Sequence, residues 1–413
     1  MAKKKKEVHF LRSVCYFSVL SALFFVPFSK AAIEISLGAG LTSGLILILF
    51  ARPANFWYSA ARTPLLVTYL LYIFLVEISA IHSFYPSWSE QGLLRVIKYF
   101  LLYLLVVNSI SDKEDLRQVF RVIWISTFLS CLNGLYQVKT GWDFFHQHPI
   151  LIVGGIERVT GSFNHPNNLA AYLVTVIIMA LFIQETRVWE AIKAIFICFY
   201  IFVLFQTSSR MPVILLGFVL LISFFVTKNK LTEHLSLFYF IGLLSVCILY
   251  FVIHPPYFFH FFQIMFGDLR TVYWQNSIDL IKHHYIFGWG INTGMQALGN
   301  HAGMQRYGAT RFVYPHNFVL QAAIEIGLTG LAAFLILLGQ FFWKAVSFLR
   351  HFRDEAMKKT IFGCVMALVF ILLHSLVDNN LQSLQLQTFF WILIGLVMSI
   401  SYRYQSGADK ARQ

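Results

Sequence analysis

The chain has 413 residues, of which 58% are hydrophobic and 12% charged, with 43 phenylalanines and a formal net charge of +13. An ordinary soluble domain carries about 25% charged residues, so the composition excludes one and predicts an all-α polytopic membrane protein. The positive balance would suit nucleic acid in a soluble protein, but here the basic residues flank apolar runs and no basic-aromatic module is visible, so no nucleic-acid partner is expected.

Apolar runs long enough to cross a bilayer recur along the whole chain. Twelve spans are predicted, near 9–28, 33–50, 64–84, 93–110, 118–138, 167–184, 190–206, 211–227, 235–253, 316–341, 360–376 and 385–402. The first follows Lys3–Lys6 without a small-residue cleavage site and reads as a retained span. Cys15, Cys131, Cys198, Cys247 and Cys364 all fall inside apolar runs without metal-ligand spacing, and read as buried small hydrophobes.

Placing the N-terminus in the cytoplasm puts Arg52, Arg62, Lys113, Arg117, Arg187, Lys193, Lys228, Lys230 and the basic residues from Lys344 to Lys359 on the cytoplasmic side. Arg403, Lys410 and Arg412 follow the last span, so the positive-inside bias predicts both termini in the cytoplasm. Residues 1–413 then form one transmembrane domain with two long outward segments, 139–166 and 254–315. In the second, "RTVYWQNSIDLIKHHYIFGWG" (270–290) reads as an amphipathic helix closed by a glycine turn, lying on the membrane surface or folding over the bundle.

Against that bias, Arg158, Arg210, Arg270 and His316 stand on the outward side. Arg158 precedes the sixth span, where Asn164 and Pro166 are helix-start residues. Arg210 lies in "TSSRMP", with Ser208 or Ser209 as cap and Pro212 in the first turn of the eighth span. His316 follows Pro315 at the start of the tenth. Three helix N-termini thus open outward, each with a cationic or titratable residue. Unpaired N–H groups and a positive dipole end attract anions, and the arginine fork suits phosphate oxygens. If the three converge, they would hold a phosphate or pyrophosphate. Each arginine also has a plainer reading, as a solvated loop residue, a headgroup anchor or the polar face of a surface helix.

His316 can accept a proton from a hydroxyl near neutral pH, or serve as a structural hydrogen-bonding residue. Asn317 orients the imidazole or a substrate, or starts the helix. Asp378, with Asn379 and Asn380, lines the same mouth or makes a turn. Arg95 and Lys98 assist the anion or snorkel. Glu325, within the span, is expected to make a structural hydrogen bond, and Gly327 and Gly330 to allow close helix packing. With no P-loop, GxGxxG, G-x-S-x-G or metal-ligand cluster in the sequence, neither metal nor cofactor is expected.

"HNFVLQAAIEIGLTG" runs His316-Asn317, nine residues, Gly327, two residues, Gly330. This pattern resembles the O-antigen ligase family. "RVTGSFNHPNNLAAYL", "SSRMPVILLG" and "RTVYWQNSIDLIKHHYIFGWGINTG" resemble the family's other blocks in the same order, over about residues 155–335. The resemblance implies a metal-independent inner-membrane glycosyltransferase of GT-C-type architecture, acting in lipopolysaccharide biosynthesis. It implies a donor glycan on undecaprenyl pyrophosphate and a lipid A–core acceptor, both at the periplasmic side. Arg158, Arg210 and Arg270 would contact the pyrophosphate, and His316 would act on the acceptor hydroxyl as base or orienting group. Polymerases of O-antigen or exopolysaccharide share these blocks and use a second lipid-linked glycan as acceptor. A transporter of lipid-linked glycans is the non-enzymatic alternative, but would spread its charges through the membrane depth, whereas here, apart from Glu77 and Glu325, they cluster at one face.

Overall fold

The computed structural model describes residues 2–51, 65–110, 112–153, 155–183, 187–226, 237–242, 244–245, 248, 270–305, 312–352 and 354–410. The predicted ninth span falls mostly outside the described residues, as do 254–269, Arg52, Arg62, Lys228, Lys230, Cys247 and Arg412.

The long helices are α1 (Ala2–Phe25), α2 (Lys30–Ile46), α3 (Leu66–Ile81), α4 (Pro86–Ser109), α5 (Lys113–Thr140) and α6 (Pro166–Phe182). They continue with α7 (Arg187–Gln206), α8 (Arg210–Val226), α9 (Arg270–His283), α10 (Phe318–His351), α11 (Glu355–His374) and α12 (Leu384–Lys410). Among the described residues, eight helices are long and apolar enough to cross a membrane, and Leu66–Ile81, Pro166–Phe182 and Arg210–Ile222 are shorter apolar helices. The protein is a multi-pass membrane protein, as its composition predicts.

Side-chain identity sorts the helices into layers. α6 is apolar all round and buried from Leu169 to Phe182, and 83% of Leu384–Ser401 in α12 lies inside the bundle. Around these two, α11 packs on α6, α4 on α12, α3 on α10, and α1 on α2 and α5. The outer helices expose apolar residues instead, with Ile35, Val67, Ile195 and Trp343 all at least 70% exposed. Such a surface is stable against lipid, which is as apolar as the residues it meets. Cys198 belongs to this outer face, whereas Cys15, Cys131 and Cys364 are buried as expected.

The glycine pair of α10 departs from expectation. Gly327 has φ 67° and ψ −177°, so the helix is broken there. The break frees two carbonyls and two amides, and residues 285–290 supply partners for all four. Trp289 and Gly290 donate their amides to the Ile324 and Glu325 carbonyls at 2.8 and 2.9 Å, and the Ser79 hydroxyl donates to the latter at 2.8 Å. In return, the Leu328 and Thr329 amides donate to the carbonyls of Tyr285 and Ile286 at 2.7 and 3.4 Å. Irregular backbone inside a membrane bundle is tolerated only where protein satisfies it. A Cβ at Gly327 would stand 2.1 Å from the Ile286 carbonyl oxygen, and one at Gly288 2.5 Å from the Glu325 carbonyl oxygen. Gly327 therefore serves a chain crossing, not a helix–helix approach. At Gly330 the nearest atoms are the Ile326 side chain of its own helix. The stretch after the break, 328–351, is about 36 Å long and can span a ~30 Å bilayer core by itself. The segment 270–290 folds over the bundle, with α9 packed on α10.

Candidate functional site

The 139–166 segment is more than a loop. Asp143 is fully buried and accepts the amides of Phe145, His146 and His148 at 3.0, 3.2 and 2.9 Å. Burial presses its carboxyl upward, but the amides of His148 and His146, the Asn133 side chain and the Phe145 amide outweigh it and hold it below the ordinary carboxylate range. From this anchored base rises a hairpin, β1 (Leu151–Val153) and β2 (Ile156–Arg158), antiparallel with Leu151 opposite Arg158. Arg158 is the last residue of β2, and the Val159 amide then bonds the Gln206 carbonyl at 3.0 Å. The hairpin was not expected from the sequence, although "IVGGIE" carries its signature: β-branched residues on either side of Gly-Gly.

Arg158 is held by three elements. Its Nε donates to the Thr207 carbonyl at 3.1 Å, and its Nη2 to Asn167 Oδ1 at 2.8 Å and Ser209 Oγ at 3.2 Å. The Ser209 hydroxyl also donates to Asn167 Oδ1, at 2.8 Å. The other end of the Asn167 amide donates to Asp378 Oδ2, and Asp378 Oδ1 lies 3.1 Å from His316 Nδ1. One chain of hydrogen bonds thus runs from the hairpin through the starts of α6 and α8 and the α11–α12 turn to the start of α10. It joins two predicted residues, Arg158 and His316, through a third, Asp378.

The electrostatics follow from this crowding. Burial, then the charge of Arg210, lowers the Arg158 guanidinium from its ordinary value, with Asp378 opposing. The two arginines are close enough to repel. Burial presses the Asp378 carboxyl upward, but the His316 hydrogen bond, the charges of His374 and His316, and the Asn167 amide outweigh it and hold it well below the usual range. An ionised Asp378 accepts Nδ1–H from His316 and leaves Nε2 as the acceptor nitrogen. His165 is lowered, first by burial and then by Arg158 and His316, while Asp378 opposes.

His316 itself adopts φ 50°, a left-handed conformation that costs a non-glycine residue on the order of 1 kcal/mol or more. It is pinned on both sides, by the Phe318 amide donating to the Ser375 carbonyl at 2.9 Å and by Trp274 Nε1 donating to the Pro315 carbonyl at 2.9 Å. The Tyr273 ring lies 6.3 Å from the imidazole, centroid to centroid. Arg270 is one turn before Tyr273 on α9, so the two share a face, and its charge reaches His374. Arg210, at the start of α8, follows Ser209 directly. Arg158, Arg210, Arg270, His316 and Asp378 are therefore neighbours in space.

Other expectations at this site need correction. The helix starts meet, but most of their amides are already bonded. Asn317 caps α10 and accepts the amides of Val319 and Leu320 at 2.9 and 3.1 Å, as a helix-start residue does. The cap of α6 is His165, whose Nδ1 accepts the Asn167 amide at 3.2 Å. Asn164 is exposed and one residue too early to cap. At α6 and α10 an anion would meet side chains, not bare N–H groups. Ser209 spends its hydroxyl on Asn167 rather than on its own helix. Lys98 pairs with Glu34 at 2.5 Å, away from this cluster. The residues missed were Asn167, Ser209 and His165. "SFNHPNN" marked a helix start, but a side-chain amide that bridges two elements has no local signature.

Residues 194–335 match the family model described as O-antigen ligase. The matched stretch contains Arg210, Arg270, His316 and Asn317, while Arg158 and Asp378 lie outside it and join the cluster through the fold. No curated protein matches the chain. Residues 194–335, about a third of the chain, are thus similar to the O-antigen ligase family, and they lie within a multi-pass membrane protein.

Proposed function

We propose that the protein transfers a glycan from undecaprenyl pyrophosphate to the lipid A–core oligosaccharide, without a metal, at the periplasmic face of the bacterial inner membrane. Both termini then lie in the cytoplasm, the bundle is of GT-C type, and the hairpin and α9 form its periplasmic roof. The observation that supports this reading is the His316–Asp378 pair set among Arg158, Arg210 and Arg270.

The chemistry fits each group. Nε2 of His316 takes the proton of the acceptor hydroxyl as that oxygen attacks the anomeric carbon. The bond from carbon to the pyrophosphate oxygen breaks, and the electron pair leaves with the phosphate. Asp378 orients the imidazole and stabilises the imidazolium that forms, as a carboxylate does beside a catalytic histidine. The arginines meet the charge growing on the leaving group, and a bound anion relieves the repulsion between Arg158 and Arg210.

The test is transfer by purified protein, supplied with a polyprenyl-pyrophosphate glycan with and without lipid A–core. Product on lipid A–core supports ligation. Longer lipid-linked chains from donor alone would replace that reading with polymerisation. Glycan movement across vesicles with no transfer in either assay would overturn both. Arg210→Lys is expected to raise the donor KM and lower kcat, because a point charge does not replace a bidentate fork.

A further inference from the structure

On the face of α10 that carries Gln321 and Glu325, a cavity of about 100 Å³ adjoins the turn bearing Asp378. It is lined by α3, α4, α10, α12 and the turns at 291–292 and 379–382. That volume is enough for several ordered waters. Its wall is unusually polar for the interior of a membrane bundle. Arg95, Gln321, Glu325, Asn379 and Gln387 all face it, beside the rings of Tyr69 and Trp391.

Two features of this wall point to a ligand. The first is unspent hydrogen-bonding capacity. The Tyr69 hydroxyl, Gln321 Oε1, Asn379 Oδ1 and Gln387 Oε1 are buried without a hydrogen-bond partner. Tyr69 is 0% and Gln321 3% exposed, so solvent at the protein surface does not serve them. Buried polar atoms are nearly always bonded, and four around one cavity is an unusual concentration. Beside them, Gln321 Nε2 and the Gly294 amide both donate to Glu325 Oε1. The Glu325 carboxylate thus holds the Gln321 amide in place, with its oxygen left unbonded at the cavity.

The second feature is the chemical mixture. Amide and phenol oxygens accept, the Arg95 guanidinium and the Tyr69 hydroxyl donate, and a Tyr69–Trp391 pair 4.9 Å apart offers apolar ring surface. A sugar residue presents the complement: several hydroxyls that each donate and accept, around a ring with apolar C–H faces. A fatty chain would leave the amides unpaired, and a phosphate would meet more acceptors than donors.

We propose that this cavity is a subsite for one sugar residue of a glycan that passes His316, with Gln321, Asn379, Gln387 and Arg95 bonding its hydroxyls and Glu325 positioning Gln321. The assignment rests on the transfer reaction above, and the sugar belongs either to the acceptor or to the donor.

Two measurements on the full chain in lipid nanodiscs test it. The first needs no turnover. Glucose, galactose and N-acetylglucosamine are titrated separately while tryptophan emission is followed, with Trp391→Phe identifying the part of the signal that comes from the cavity. A saturable, Trp391-dependent change with at least one sugar is expected, weakened roughly tenfold in Gln321→Leu, the scale of one lost hydrogen bond. The second is steady-state kinetics. Gln321→Leu is expected to raise one KM roughly tenfold with kcat nearly unchanged; a raised acceptor KM assigns the sugar to the acceptor and a raised donor KM to the donor. Should Gln321→Leu fail to fold, Gln387→Leu on α12 carries the same test. No saturable response to any of the three sugars, with both KM values unmoved, would overturn the subsite. A Gln321-dependent response in a protein that transfers nothing would leave the subsite standing and remove the transfer reading instead.

Discussion

The two ends of the bundle handle charge in opposite ways. At the end from which α1 sets out, Arg117 and Arg121 share Glu114, Lys358 pairs with Glu355, and Lys113 pairs with Asp354. Most of these side chains are well exposed, and most partners sit on the same helix. At the His316 end the charges turn inward and their partners are far away in sequence: Arg158 to Ser209 across 51 positions, His316 to Asp378 across 62, Asn167 to Asp378 across 211. An exposed pair within one helix is worth at most about 1 kcal/mol and demands nothing of the fold. A half-buried chain of polar groups from five elements is costly unless every member is placed, so the surrounding fold is built to place it. Charge alone does not distinguish the two ends; partial burial shared over long sequence separation does.

The sharpest way to break this contrast is at the shared end. His316→Ala is expected to cut transfer by roughly 10³-fold or more, the scale of a lost general base, with folding retained as judged by monodisperse elution. Asp378→Asn removes the acceptor for Nδ1–H and is expected to lower kcat by about 10²-fold. A positioning role predicts a changed pH profile for that variant, which a purely structural one does not.

Next in size is the helix break. Gly327→Ala sets a Cβ against the Ile286 carbonyl at a positive φ, and is expected to cost about 3 kcal/mol. Faster hydrogen exchange at the Trp289 and Gly290 amides would report the loss of the inserted segment. Gly330→Ala meets a side chain of its own helix and is expected to cost less.

Acid separates the two ends more gently. The folded Asp378 carboxyl titrates below its unfolded value, so its stabilisation is present above about pH 4 and is lost only as pH falls further. The difference in melting temperature between wild type and Asp378→Asn is therefore expected to stay constant from pH 8 to about pH 5 and to shrink below about pH 4. Smallest of all, Lys113→Ala at the opposite end is expected to change stability by less than about 1 kcal/mol and transfer not at all, because that pair is largely exposed. A large effect on transfer would erase the distinction between the ends.

What could be read without the structure was local. Apolar runs, Pro166 and Pro212 near helix starts, and the order of the blocks need only the residues beside them, since helix hydrogen bonds close within four positions. The arginines and His316 stood out because they broke a charge bias that runs along the chain. Asn164 misled because neighbouring Asn, His and Pro residues all suit a helix start, and the choice among them depended on which imidazole reached the Asn167 amide.

By itself, then, the sequence determined a many-helix membrane protein, the family that residues 194–335 resemble, and which cationic residues break the charge bias. Only the tertiary structure decided that Asp378 would bond His316, that Asn167 and Ser209 would tie Arg158 to them, and that α10 would break at Gly327. The physical reason is the same in each case. "AIEIGLTGLAAF" is a good helix until residues 285–290 arrive with donors and acceptors for the opened turn. A buried carboxylate is unfavourable until partners from distant segments close around it, and their arrival depends on the packing of the whole bundle.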